Sequence, residues 1–99
     1  MAKRQKPHID LANTGAAVNV ASGLAAGPYQ FQVVNTEGSR EIYYAFRATA
    51  PASIDDYFYA EPGEIVRFRV PDDAGVWCRT YPFTKASDRY TATLALSSL

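Results

Sequence analysis

The chain reads as a small all-β domain: an antiparallel β-sandwich of jelly-roll-like type, or a barrel, with an extended N-terminal arm. Three observations predict this class. Short segments alternate apolar and polar residues between Tyr29 and Leu96. Turn-forming clusters at 36–39, 50–53, 61–64 and 71–75 separate them. No segment sustains the i, i+3, i+4, i+7 stripe of an amphipathic helix. Several short strands in 99 residues imply two packed sheets or one closed sheet. No connection is long enough to hold a crossover helix, so parallel pairing is not expected.

Residues 1–15 read as the extended arm and 16–99 as a single β-domain. The arm carries Lys3, Arg4 and Lys6, then Pro7, then a polar Asn13-Thr14-Gly15 turn. Val18 and Val20 alternate with Asn19 and Ala21, which fits a short strand. In 29–35, Tyr29, Phe31 and Val33 share one face and Gln30 and Gln32 the other. In 41–48, Ile42, Tyr44, Phe46 and Ala48 form the expected inward set; Glu41, Tyr43, Ala45 and Arg47 form the outward one. The spacing between these two segments suits a hairpin. Over 65–70, Val66, Phe68 and Val70 alternate with Ile65, Arg67 and Arg69. The arginines fix that register, because burying two unpaired guanidinium groups costs several kcal/mol each, on the order of magnitude. Segments 57–60 and 76–80 are further strands, and Tyr90, Ala92, Leu94 and Leu96 form the inward set of the last one.

Composition narrows the function classes. A chain of this length buries roughly 60–70% of its unfolded surface, enough for one core. Formal net charge is zero, so no bulk attraction to nucleic acid or membrane is expected, and near-neutral proteins tend to associate. No apolar stretch approaches the roughly 20 residues that span a bilayer, and no apolar run follows the basic start as in a secretory signal. Cys78 is the only cysteine, so no internal disulfide forms, and synthesis in a reducing cytoplasm is expected.

Chemistry-bearing constellations are sparse. His8 is the only histidine and lies in the arm. Cys78 reads as a small buried filler. The acid pairs Asp55-Asp56, Glu61 with Glu64, and Asp72-Asp73 contain no Asp-x-Asp-x-Asp ligand comb. No acid, base and nucleophile set assembles, so no enzyme, metal or cofactor is expected. Six acids between Asp55 and Asp73 mark one end of the domain as acidic; opposite the basic arm, this permits head-to-tail docking between neighbouring subunits. The domain is too small to bury all its aromatic residues. Exposed tyrosines beside arginines suit a protein interface, where both are enriched. They would also stack sugars or single-stranded bases, although an acidic centre disfavours nucleic acid.

Four runs resemble a class of small tailed-bacteriophage virion proteins. They are Gln32-Val33-Val34-Asn35; Ile42 through Arg47 leading into Thr49-Ala50-Pro51-Ala52-Ser53; Glu61-Pro62-Gly63-Glu64 before the strand at 65–70; and Val76-Trp77-Cys78-Arg79 before the last strand. Together they span about two-thirds of the chain. Within that class the roles are capsid decoration (cement) proteins, head fibre bases and minor neck or tail components. The resemblance therefore implies a non-enzymatic component of the virion that contacts the major capsid protein or another virion protein and is homo-oligomeric in the particle. The leading expectation is a cement protein bridging capsomers. A neck, tail or fibre-attachment component is the alternative, and a carbohydrate- or nucleic-acid-binding β-module is the alternative of another class. The residues expected at the protein interface are Lys3, Arg4, Lys6, Ile9 and Leu11 in the arm, and Tyr43, Arg47, Tyr57 and Tyr59 on the domain.

Overall fold

A computed structural model describes residues 8–72 and 75–99. Eight strands occupy them: β1 His8–Leu11, β2 Val18–Asn19, β3 Gly27–Val33, β4 Ile42–Phe46, β5 Phe58–Ala60, β6 Ile65–Val70, β7 Val76–Arg79 and β8 Ala92–Ser98. Two single 3-10 turns, Ile54–Asp56 and Ala86–Asp88, are the only helical pieces among the described residues. The strands form two four-stranded sheets, in the orders β1-β8-β3-β6 and β2-β7-β4-β5. Every pairing is antiparallel. The pairs β1–β8, β2–β7, β3–β6 and β4–β5 are those of one long hairpin folded over on itself, which is the jelly-roll arrangement. The molecule is a sandwich and not a closed barrel, because β5 and β6 end their sheets without pairing each other.

The alternation read from sequence sets the core. Phe31, Val33, Val66, Phe68, Leu94 and Leu96 face inward from the first sheet; Ile42, Ala60, Val76 and Cys78 face them from the second. Phe31 is fully buried and meets Tyr44 of the other sheet edge-on, with ring centroids 6.1 Å apart. Such a pair adds about 0.5–1.5 kcal/mol to the gain from burial. Arg67 and Arg69 lie on the exposed face of β6, as the charge argument requires.

Three expectations are corrected. The hairpin between 29–35 and 41–48 does not form: β3 pairs with β6 and β8, and β4 pairs with β5 and β7. Both segments carry a large apolar face, and stacking those faces across the sandwich buries more area than edge pairing would. The extended arm over 1–15 gives way at His8, where the chain enters the first sheet beside β8. Leu11 is 1% exposed and Ile9 packs against the core, so both hold the fold together. Finally, the acids do not gather at one end. Glu61 and Glu64 sit at the pole formed by loops 12–17, 34–41, 61–64 and 80–91, where the Glu64 carbonyl accepts from Val33 N–H. Asp56 and Asp72 sit at the other pole, where Arg47 N–H donates to the Gly75 carbonyl and Arg47 lies 3.8 Å from Asp56.

One glycine is demanded by close approach. A Cβ on Gly75 would run into the Arg47 carbonyl oxygen, so β4 and β7 could not close at this pole with a larger residue.

Leu11→Ala is expected to lower unfolding free energy in urea by about 2–5 kcal/mol, as for a core leucine. Arg67→Ala should change it by no more than about 0.5 kcal/mol, since that side chain lies on the solvent face. Equal, small effects would return β1 to the status of an unattached arm.

Candidate interaction surface

The residues expected at an interface divide into three groups. Lys3, Arg4 and Lys6 lie outside the described residues. Ile9, Leu11 and Tyr57 are inside the fold. Tyr57 precedes β5, is only 9% exposed, donates its hydroxyl to the Pro51 carbonyl, and carries the Arg79 guanidinium 5.5 Å from its ring. Tyr43, Arg47 and Tyr59 stay accessible, and Tyr59 is 62% exposed. Of these, the structure brings Tyr43 and Tyr59 together as a cross-strand pair of β4 and β5, with ring centroids 6.5 Å apart.

That pair opens a ladder of rings along the outer side of the second sheet. Tyr43 meets Tyr81 at 5.5 Å, Tyr81 meets Phe83 at 4.4 Å, and Phe83 meets Tyr90 at 6.4 Å. Arg40 closes it, its guanidinium 4.4 Å from the Tyr90 ring centroid and its Nε 3.5 Å from a Glu41 carboxylate oxygen. The Tyr90 hydroxyl accepts from Tyr81 N–H at 3.1 Å and donates to the Glu41 carbonyl at 2.8 Å. It thereby ties the long β7–β8 connection to the start of β4. Burial pushes the Tyr90 phenol up to about 12, against the pull of the Tyr81 hydrogen bond, with the Glu41 charge adding to the rise. The Tyr43 phenol is also raised, first by burial and then by Glu41.

At the upper end of this ladder lies a cleft of about 490 Å³, lined by Ser39, Arg40, Glu41, Tyr43, Tyr59 and Glu61, with Pro62 at its rim. Glu64 braces its wall by accepting from Glu61 N–H at 3.0 Å.

A second aromatic group lies on the open side of the sandwich. Tyr44 stands 5.6 Å from Phe46 and 5.8 Å from Phe58. Alternation points all three toward the inner face, yet Phe46 is 40% and Phe58 65% exposed. β5 has only three residues and ends its sheet, so the core-side surface beyond Tyr44 is left uncovered. Ile65, at the start of the other terminal strand, is 49% exposed. Phe46 and Phe58, side by side against Tyr44 at the unpaired edge, mark a contact surface, whereas Ile65 lies on the outward face of β6 with Arg67 and Arg69.

The sequence reading set Phe46 and Ala48 inward and Ala45 outward, whereas Phe46 and Ala48 are exposed and Ala45 is buried; it passed over Phe58 and Arg40 as contact residues. Phe58 is exposed because β5 is short and ends its sheet. Cys78 is fully buried, and burial pushes its thiol well above the usual range, which makes it inert at neutral pH. Among the described residues no group of three or more His, Cys, Asp or Glu side chains is placed to hold a metal ion. Among the described residues no helix is long and apolar enough to cross a membrane. Comparison with protein-family models, curated proteins and solved structures gives no match.

Tyr90→Phe should cost about 1–2 kcal/mol, because it strips partners from two main-chain groups. The pH profile supplies the sign. With a folded value above the unfolded phenol's 10, Tyr90 contributes stability that is complete below pH 10 and drains away as pH rises toward 12. Denaturation followed from pH 9 to 12 should therefore decline less steeply in the variant than in the wild type.

Proposed function

We propose that the chain is a structural component of a tailed-bacteriophage particle: a capsid decoration protein that binds the outer shell and bridges capsomers, without catalysis or cofactor. The supporting observation is the exposed aromatic edge, Phe46, Phe58 and Tyr59, on a double-sheet jelly roll whose other large apolar side chains are mostly consumed by the core. Jelly rolls serve in viral capsids and in lectins, so the fold narrows the function without choosing it. The sequence resemblance to small virion proteins adds the choice. An exposed aromatic edge with Arg47 next to Phe46 in the chain gives a surface that desolvates well against a partner.

Purified particles of the phage carrying this chain provide the test, by quantitative mass spectrometry and symmetry-resolved imaging. Hundreds of copies on the shell are expected. About a dozen or fewer at the portal axis would move the chain to the neck or tail, and absence from particles would overturn the reading.

Phe58→Ser combined with Tyr59→Ser removes the ring contacts with Tyr44 and Tyr43 and should lower unfolding free energy by about 1–3 kcal/mol without preventing folding, since both side chains are exposed. The same pair should weaken shell attachment at least about tenfold, the scale of losing one interface anchor. Undiminished attachment would exclude the β5 edge as the docking face.

A further inference from the structure

We infer that the cleft between Tyr43 and Tyr59 is a docking site for a cationic side chain, and that its occupant is the basic N-terminal segment, Lys3 to Lys6, of a neighbouring copy of this chain. The inference rests on the reading of the chain as a component packed beside its own copies, and it names what joins them.

The cleft has the chemistry of a cation site. Two tyrosine rings, Tyr43 and Tyr59, stand 6.5 Å apart and inclined by 50°, and both line the cleft. Ring faces attract ammonium and guanidinium groups. Two carboxylates, Glu41 and Glu61, line the same space. The one cation present, Arg40, is already engaged: it lies over Tyr90 and Phe83 and pairs with Glu41. Glu61 is exposed, and its carboxylate has no partner among the described residues. An exposed carboxylate without a cationic partner among the described residues thus stands beside two tyrosine rings in one cleft, a combination that suits a positive guest.

Charge complementarity points to the guest. Residues 1–7 carry Lys3, Arg4 and Lys6 and no acid, an excess of three positive side chains in a chain whose net charge is zero. A copy's own segment is poorly placed to fill its own cleft. β1 is the outermost strand of one sheet and β5 the outermost strand of the other at the opposite edge. A path around the sandwich crosses three strand spacings of about 4.8 Å and one sheet spacing of about 10 Å, some 24 Å in all. Lys3 is five residues from His8, so its backbone reaches about 17 Å at full extension. The chain also enters β1 from the pole away from the cleft. Docking onto the next copy needs no such detour, and it makes a head-to-tail contact whose two halves lie on different surfaces.

Charge exchange tests this in solution on the full chain, by sedimentation velocity at low and high salt. Wild type is expected to associate with rising concentration at low salt and to weaken at high salt, as an exposed ionic contact does. Glu61→Arg alone, and Lys3→Glu/Arg4→Glu/Lys6→Glu alone, should each weaken association by about tenfold, equivalent to 1.4 kcal/mol. An equimolar mixture of the two variants should associate again, because the unchanged basic segment of the first meets the unchanged Glu61 cleft of the second, and the acidic segment of the second meets the new arginine of the first. Carbodiimide coupling in a mixture of light and 15N-labelled wild type should link Lys3 or Lys6 to Glu61 with mixed isotopes. Circular dichroism melting guards against unfolded variants, all the changes being at exposed or N-terminal positions. A monomeric wild type, association indifferent to both variants, failure of the mixture, or links confined to one isotope would each overturn the inference. Absence of the chain from phage particles would remove the decoration reading and leave a positive charge-exchange result standing.

Discussion

The placement of β8 is the constraint from which the rest follows. This strand pairs with β1 on one side and with β3 on the other, so the last strand is sealed between the first and third. Its partner register puts Leu94 opposite both Ile9 and Val33, and Leu96 opposite Phe31. Long-range pairing of this kind must offset the entropy of closing a loop of more than 80 residues, although that cost rises only slowly with length. What offsets it is apolar burial: Leu11, Phe31, Val33, Leu94 and Leu96 disappear from water together. Without a disulfide to restrain the unfolded chain, the fold depends on that cooperative seam.

Nesting the strands in this way also decides where contact surface can lie. The outermost pair of the folded hairpin, β1–β8, and the innermost pair, β4–β5, end up in different sheets. β5, the innermost strand, is short and unpaired on one side, and its aromatic side chains remain in water. Meanwhile the 34–41 loop and the long β7–β8 connection meet at one pole through Tyr90, which stacks Arg40 and orders the floor next to the Tyr43–Tyr59 cleft. Scaffold and surface are thus one design: residues that close the sandwich fix the positions of those that stay exposed.

Much of the scaffold was legible because charge and alternation agree locally. β6 runs from Ile65 to Val70, the segment where Arg67 and Arg69 dictate which face is wet. Alternation alone gave the inward Phe31 and Val33 of β3 and Leu94 and Leu96 of β8, but Tyr90, expected inward with them, precedes β8 and joins the outer ring ladder instead. Pairing partners were less legible. The turn between β3 and β4 has hairpin length, but length does not reveal whether two apolar faces will lie edge to edge or face to face. β1 was hidden in a charged segment, although Ile9 and Leu11 stand at the two-residue period of a strand. At the interface, Tyr59 was readable because it lies within β5. Tyr57 was not, because alternation was extended one residue past the strand, onto a ring that folds under Arg79 and bonds to Pro51. The cleft joins residues from 39 to 62 through tertiary packing, which no local pattern encodes.

Amide hydrogen exchange on the intact chain tests the nested seam most directly, because protection reports which hydrogen bonds survive until global unfolding. The slowest amides should lie in β3, β4, β7 and β8, the strands bonded on both sides, with β8 exchanging only as the whole domain opens. Exchange of β8 at the rate of the surface loops, while β3 and β4 remain protected, would contradict a fold sealed by its final strand.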